Sequence, residues 1–210
     1  MQIAASLLLF LTIPLPQRDG APAAMGQVRA TRLRDEIMHD PRRTVLTLLD
    51  AVYATLVDIL MPSWLKLLGV AALSVGVVMS LRTGIQVLLA PLAGRLYAAD
   101  SKAEIRIGSM AGLVGWLPWC LSQQTGILFF SVPLWAGGSI LCSTGIQGRW
   151  YRNRSATAIL TRELLLTAAR MIGAWAIIPA MFFHPAIYAW LAAGVALAVF
   201  VVGGGRRGKN

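Results

Sequence analysis

The chain has 210 residues, of which 57% are hydrophobic and 13% are charged, and its formal net charge is +10. Soluble domains carry about 25% charged residues, so this composition excludes an ordinary soluble protein and predicts an all-α, polytopic membrane bundle. The positive charge by itself would fit nucleic-acid binding. Arginines at the ends of apolar runs are instead typical of cytoplasmic loops, so we expect no nucleic-acid partner.

The first 43 residues divide into a short apolar segment and a basic linker. Residues 3–15 are too few to cross a bilayer and lack the basic start of a signal peptide. We therefore predict that residues 1–16 form a truncated or re-entrant membrane segment. Residues 17–43 form a polar linker with six arginines: Arg18, Arg29, Arg32, Arg34, Arg42 and Arg43. We predict a mainly solvated cytoplasmic loop there, with a short surface helix in its later part.

Residues 44–204 are predicted to form six full transmembrane helices, followed by a basic cytoplasmic tail at 205–210. Apolar runs mark five of the spans, at residues 45–60, 67–92, 107–121, 126–146 and 187–202. The remaining span, the fifth in chain order, is opened by the basic segment GRWYRNRSATAILTRE and runs to about Met181. Most of the 19 Lys and Arg residues fall in alternate connections, which places those connections and the C-terminus in the cytoplasm. The sequence therefore predicts a protein of the bacterial inner membrane, surrounded by lipid.

The first two spans are predicted to form a tight antiparallel hairpin. The run at 45–60 contains Asp50 and Asp58 and ends at Pro62-Ser63-Trp64. We expect the chain to turn there, with Trp64 and Lys66 at the membrane interface. Because Asp58 is only four residues from this turn, its carboxylate is expected at the interface as well.

Arg82 lies deep in the second span, within a 67–92 run that exceeds the roughly 20 residues needed to cross the hydrocarbon layer. A guanidinium at that depth is costly unless it faces protein or water, which indicates a site residue. Thr83 and Gln86 extend a narrow polar face around it.

The later spans differ in polarity. The run at 107–121 is charge-free, and its tryptophans, Trp116 and Trp119, are expected at the headgroups. The next run carries a polar stripe at intervals of four residues, formed by Ser131, Trp135, Ser139 and Ser143. The fifth run has Arg170 in its middle, and the last run is charge-free.

Counting from the predicted outer turns at about 1.5 Å per residue places Asp50 about 18 Å deep, Arg82 about 24 Å and Arg170 about 20 Å. All three thus lie at similar depth on separate helices. They are predicted to line a shared, hydrated cavity, in which Asp50 pairs with an arginine. The alternative is a buried ion pair that only fixes helix register.

No enzymatic or metal chemistry is indicated. Cys120 and Cys142 lie in apolar runs without CxxC spacing, and His39 and His184 are too far from them in sequence to suggest a zinc site. The sequence around Ser139, Gly-Gly-Ser-Ile, lacks the final glycine of the GxSG serine of rhomboid proteases. We expect no catalytic residue, no bound metal and no cofactor.

The layout combines a short outer turn, a long helix that ends in PLAGRLYAAD, a basic turn, and continued alternation to a basic tail. It resembles the C-terminal six-helix half of a major facilitator superfamily transporter. The basic turn is similar to that family's signature, a glycine followed four positions on by an acidic residue and then by basic residues. Gly94 matches the glycine, Ala98 stands at the acidic position, Asp100 follows two residues later, and Arg95, Lys102 and Arg106 supply the basic character.

The segment TRELLLTAARMIG also looks like the penultimate span of some bacterial permeases of this superfamily, with Arg162, Glu163 and Arg170 at the matching positions. The resemblance implies that residues 3–15 end span six and that the later runs are spans seven to twelve. In that layout spans seven, eight, ten and eleven line the cavity. These are the runs that carry the candidate site, which consists of Asp50, Arg82, Gln86, Ser131, Trp135, Ser139 and Arg170.

The resemblance further implies an inner gate formed by Gly94, Arg95, Asp100, Lys102 and Arg106. Because alternating access rocks two six-helix halves about a central site, a lone half needs a second half or a homodimer partner. A fragment or split product of a longer transporter is therefore favoured.

The predicted function is secondary transport of a small solute, with a proton as the candidate coupling ion. Two arginines against one deep aspartate indicate an anionic solute, although the missing half can change that balance. The alternative is a non-transporting membrane scaffold or assembly factor on the same fold, in which the charges only fix helix packing.

Overall fold

The computed structural model describes residues 35, 37–121, 125–151, 156–183 and 185–204. The chain divides into two compact units, Met1–Asp35 and Glu36–Asn210, and all described residues except Asp35 belong to the second unit. The predictions for residues 1–16, for most of the linker, for His184 and for the 205–210 tail lie outside the described residues.

The described part of the second unit consists of helices and short connections, and no strand occurs in it. It contains α1 (Pro41–Ala54), a π-helical segment (Thr55–Leu60), α2 (Met61–Leu67), α3 (Ala72–Leu121), α4 (Thr125–Tyr151), α5 (Ala156–Phe183) and α6 (Pro185–Gly204). The all-α prediction is confirmed for these residues.

Within the described residues, three helices are long and apolar enough to cross a membrane: Pro41–Leu67, Ala72–Ala98 and Phe129–Tyr151. At the helical rise of about 1.5 Å per residue, even the shortest of them exceeds the roughly 30 Å of a bilayer's hydrocarbon. Ile187–Gly203 forms a shorter apolar helix. The fold is thus compatible with an integral membrane protein.

α1 begins earlier than the sequence predicted. Asp40 caps it by accepting a 3.0 Å hydrogen bond from the backbone N–H of Arg43, and Pro41 occupies the first turn, where its missing N–H is harmless. Arg42 donates to the carbonyls of Val202 and Gly203 at the end of α6, at 2.6 and 2.7 Å. Arg42, which was predicted to belong to a solvated linker, therefore anchors α1 to α6.

Arg43 is buried as well, and its guanidinium lies 3.9 Å from the ring centroid of Trp150 in α4. The indole N–H of Trp150 donates to Thr47 of α1 at 2.7 Å. Arg42 and Arg43 were predicted to lie in a solvated loop because charged residues dominate the local composition. A cation can instead be buried against an aromatic face, which the composition does not reveal.

The predicted turn at Pro62-Ser63-Trp64 is wrong. The helix continues through the π-helical segment and α2 to Leu67, and the chain turns only at residues 68–71, where Gly69 has a φ of +77°. Pro62 sits in the first turn of α2, directly after the π-helical segment. A proline there removes no hydrogen bond that α2 requires, so it does not end the helix.

α3 also runs through a predicted loop. Residues 98–106 were expected to form a charged turn, but they are helical except at Asp100, whose backbone is extended (φ −155°, ψ 101°). Asp100 then caps the second part of α3 by accepting from the N–H groups of Lys102 (2.8 Å) and Ala103 (3.2 Å). A single residue thus separates two helical parts, 72–99 and 101–121.

An aromatic cluster forms the centre of the main core. Trp64 stacks on Tyr188 with ring centroids 4.5 Å apart and meets the edge of Trp119 at 5.2 Å, and Trp116 stacks on Trp135 at 5.6 Å. All five rings are at most 1% exposed. Trp64, Trp116 and Trp119 thus pack on one another inside the helical bundle, and their depth relative to the headgroups stays a prediction.

The second part of α3 and α4 approach each other through glycines. A Cβ placed on Gly108 would lie 2.6 Å from the backbone N of Cys142, and one on Gly138 would lie 2.5 Å from the backbone N of Gly112. A Cβ on Gly115 would lie 2.6 Å from the backbone N of Trp135. Gly108 and Gly112 form a GxxxG spacing, which allows two helix backbones to come into contact.

We predict that Gly138→Ala lowers the free energy of unfolding by about 1–3 kcal/mol, because its methyl group would overlap backbone atoms that cannot move independently. Gly84→Ala is the matched control, since nothing lies within 4 Å of a Cβ at Gly84. It should leave stability unchanged or raise it by up to about 1 kcal/mol. Denaturant titration in micelles measures both variants, and equal effects would contradict the close-contact account.

Candidate functional site: a charged cavity between four helices

A cavity of about 220 Å³ lies between α1, the π-helical segment, α3, α4 and α5. Its polar lining consists of Asp50 and Tyr53 from α1, Asp58 from the π-helical segment, Arg82 and Gln86 from α3, Ser139, Ser143 and Gln147 from α4, and Arg170 from α5. The structure therefore brings five residues of the candidate site to one cavity: Asp50, Arg82, Gln86, Ser139 and Arg170.

Helical spacing explains how so many polar groups reach the same cavity. Residues four apart lie on one face of a helix, so Arg82 and Gln86 present their side chains together from α3. Ser139, Ser143 and Gln147 do the same along two turns of α4. Gln147 continues the polar stripe that the sequence analysis ended at Ser143, and the same spacing would have identified it.

Hydrogen bonds order the neutral part of the lining. The amide of Gln86 donates to the hydroxyl of Ser139 at 2.9 Å and joins α3 to α4. The amide of Gln147 donates to Ser143 at 3.0 Å. The hydroxyl of Tyr53 accepts a 2.9 Å hydrogen bond from the indole of Trp116, which connects the cavity wall to the aromatic cluster.

Arg82 forms an ion pair with Asp58 across α3 and the π-helical segment. The arginine side chain is only 11% exposed, whereas the aspartate side chain is 46% exposed. Asp58 was expected at the interface because of a turn at Pro62, but the helix continues to Leu67, so Asp58 lies more than two helical turns from the observed turn.

Asp50 and Arg170, the other two charged groups of the cavity, form neither a hydrogen bond nor an ion pair within the described residues. Asp50 lies in the electrostatic field of Arg162 and Arg170, both on α5. Arg162 is itself paired with Glu163, and its guanidinium lies over the ring of Tyr151. The predicted pairing of Asp50 with an arginine is therefore not found in the described part of the chain.

Two predicted site residues lie elsewhere. Ser131 accepts a 2.9 Å hydrogen bond from the indole of Trp119, and Trp135 stacks on Trp116 inside the aromatic cluster. Neither lines the cavity. They share the helical stripe with Ser139, but they lie one to two turns nearer the aromatic end of α4, so helical spacing alone overestimated the length of the cavity.

The predicted inner-gate residues lie on the exposed surface around the interruption of α3, away from the cavity lining. They are Gly94, Arg95, Asp100, Lys102 and Arg106. The hydrogen bonds from the backbone N–H groups of Lys102 and Ala103 hold the pKa of the Asp100 carboxyl below its usual range. Asp100 therefore stays ionised as the cap of the second part of α3 down to acidic pH.

A second, smaller cavity of about 20 Å³ adjoins the first. It shares Asp50, Tyr53 and Ser139 with the larger cavity and reaches Ser109 in the second part of α3. Its volume is enough for about one water molecule. Asp50 thus lies at the boundary of both cavities.

Glu104 is a buried carboxylate that the sequence analysis did not single out. It is 1% exposed, and neither of its oxygens accepts a hydrogen bond from any described residue. A Cβ on Gly145 of α4 would lie 3.1 Å from one of these oxygens. Burial raises the pKa of Glu104 to about 7.

No protein-family model, curated protein or solved structure matches this chain. Among the residues described, no group of three or more His, Cys, Asp or Glu side chains is placed to hold a metal ion. The chemistry of the site therefore rests on the cavity itself and its charged groups.

Substitution of Arg82 and Asp58 should show how strongly the two residues of the ion pair are coupled in energy. Arg82→Gln is expected to destabilise the protein because it leaves Asp58 without its cation, and Asp58→Asn should recover part of that loss in the double variant. We expect a coupling free energy of about 1–3 kcal/mol from a double-mutant cycle measured by denaturant titration. Additive effects of the two substitutions would show that the pair is not formed.

Glu104 should make stability depend on pH. Its pKa is higher in the folded than in the unfolded chain, so the folded state binds the extra proton and stability falls as the pH rises from about 4.5 to about 7. Glu104→Gln removes this loss. We therefore expect the variant to melt higher than the wild type at pH 8 and close to it at pH 5, and a constant difference across this range would contradict the assignment.

Proposed function

We propose that this chain is one six-helix half of a secondary transporter of the major facilitator type, and that the charged cavity forms its share of the solute site. The observation that carries the proposal is the convergence of charged side chains from separate apolar helices on one cavity, where Asp50, Arg82 and Arg170 all lie. Charged residues on membrane-spanning helices are costly and usually mark solute or ion pathways.

The distribution of the cavity-lining residues among the helices supports the same proposal. The cavity is lined by α1 with its π-helical extension, the first part of α3, α4 and α5. In the major facilitator layout these correspond to spans seven, eight, ten and eleven, which line the cavity of that family. The second part of α3 and α6 correspond to spans nine and twelve and do not contribute to the larger cavity.

The proposed protein lies in the bacterial inner membrane with six spans and with its basic connections in the cytoplasm. It acts with a second six-helix half, or with a second copy of itself, because alternating access requires two halves that move about a central site. A proton is the proposed coupling ion. The basic surface around Asp100, where α3 is interrupted, is the proposed inner gate.

One observation favours a second candidate function. Arg82 is already neutralised by Asp58, as expected if the charges only hold helices in register. A non-transporting scaffold or assembly factor would contain such a pair. It would not require Asp50 and Arg170 to remain without ionic partners in a cavity of this size, which is why transport is preferred.

Transport can be tested with proteoliposomes of the full chain on a solid-supported membrane, with a panel of amino acids, mono- and dicarboxylates and phosphate. We expect at least one solute to give a current, and Arg170→Gln to reduce that current at least tenfold. Lys66→Gln is the matched control, since Lys66 is exposed and lies outside the cavity. It should transport normally.

The scaffold predicts a different outcome. No solute of the panel would then give a current, while Arg82→Gln would still lower the melting temperature. That combination would reject the transport proposal and keep the structural role of the ion pair.

A further inference from the structure

The four charged groups of the cavity are not equivalent. Asp58 and Arg82 neutralise each other, whereas Asp50 and Arg170 have no ionic partner within the described residues. Two arginines against one deep aspartate predicted an anionic solute from the sequence. With Asp58 in the cavity the formal charges of its described lining residues balance, and one negative and one positive group remain to bind a solute.

This arrangement has a clear electrostatic preference. A solute with only a negative charge can pair with Arg170 but also meets the carboxylate of Asp50, and a solute with only a positive charge meets the opposite conflict. A solute that carries both charges relieves both groups at once.

The volume of the cavity limits the size of the solute. A cavity of about 150 Å³ accommodates benzene, with its six heavy atoms, so about 220 Å³ accommodates a solute of about six to ten heavy atoms. The neutral amides are already engaged, with Gln86 donating to Ser139 and Gln147 donating to Ser143. Recognition therefore depends mainly on the two charges.

We propose that the cavity binds a small zwitterion of the amino-acid class, with its carboxylate on Arg170 and its ammonium group on Asp50. This inference rests on the proposed transport function and specifies its solute. Arg170 is suited to the carboxylate because a guanidinium binds it through two parallel hydrogen bonds. Asp50 accepts from the ammonium group and excludes solutes that are only anionic.

The test is a melting-temperature screen of the purified full chain in nanodiscs with each of the twenty common L-amino acids at millimolar concentration. At least one is expected to raise the melting temperature by about 3 °C or more. The matched α-hydroxy acid, which keeps only the negative charge, and the matched amide, which keeps only the positive charge, should each give a much smaller shift. A hydroxy acid that stabilises as well as its amino acid would overturn the proposal.

Two variants test which residue binds each end of the solute. Arg170→Gln should abolish the response to the amino acid and to its hydroxy acid. Asp50→Asn should remove the preference between them, because an amide neither attracts an ammonium group nor repels an anion. If both variants keep the wild-type preference, Asp50 and Arg170 have only a structural role and the assignment is wrong. The wild-type screen remains decisive if a variant fails to fold.

The two proposals can fail separately. If no amino acid shifts the melting temperature but phosphate or a carboxylate drives a current in proteoliposomes, the zwitterion proposal is wrong and transport remains. If no solute shifts the melting temperature and none drives a current, both proposals are wrong.

Discussion

A charged side chain within an apolar layer must meet an opposite charge or water, and this constraint organises the structure. Asp50, Asp58 and Arg82 lie on helices that are apolar enough to cross a membrane, Arg170 lies on α5, and all four line one cavity. A charge that faced lipid would be poorly solvated. The constraint is met in two ways, by the ion pair of Arg82 with Asp58 and by the shared cavity around Asp50 and Arg170.

The cavity depends on how closely α4 is held to the second part of α3. Gly138 contacts the backbone of Gly108 and Gly112, and the residue after it, Ser139, lines the cavity. The polar row of α4 is thus fixed next to a backbone contact that leaves no room for a side chain. On the other side, the hydrogen bond between Gln86 and Ser139 holds the first part of α3 against the same row.

That these charged residues share one cavity was predictable in part from sequence, because charges on apolar helices need polar surroundings. Counting residues grouped Asp50, Arg82 and Arg170, and the structure places all three at one cavity. The counts for Asp50 and Asp58 both began at Pro62, which was read as a helix end although it sits in the first turn of α2. The turn predicted at Pro62 therefore assigned Asp58 to the membrane interface, although Asp58 lines the cavity.

The aromatic core could not be predicted by counting residues from the turns. Tryptophan is common both at membrane interfaces and in packed cores, so composition does not distinguish the two positions. Trp64, Trp116 and Trp119 pack together because helices distant in sequence meet there. The glycine contacts were accessible in principle, since the spacing of Gly108 and Gly112 is visible in the sequence, but spacing alone does not identify the partner helix.

The central claim is that water reaches the charged cavity, and the most direct measurement is the reactivity of a cysteine placed in its wall. In a background with Cys120 and Cys142 replaced by alanine, Ser143→Cys lies on the cavity, whereas Leu88→Cys lies on the apolar outer face of α3, where Leu88 is 79% exposed. A membrane-impermeant thiol reagent should label Ser143→Cys in vesicles of at least one orientation and leave Leu88→Cys unlabelled, because the reactive thiolate forms only in contact with water. Failure to label Ser143→Cys from either side, with labelling restored on denaturation, would contradict the hydrated cavity.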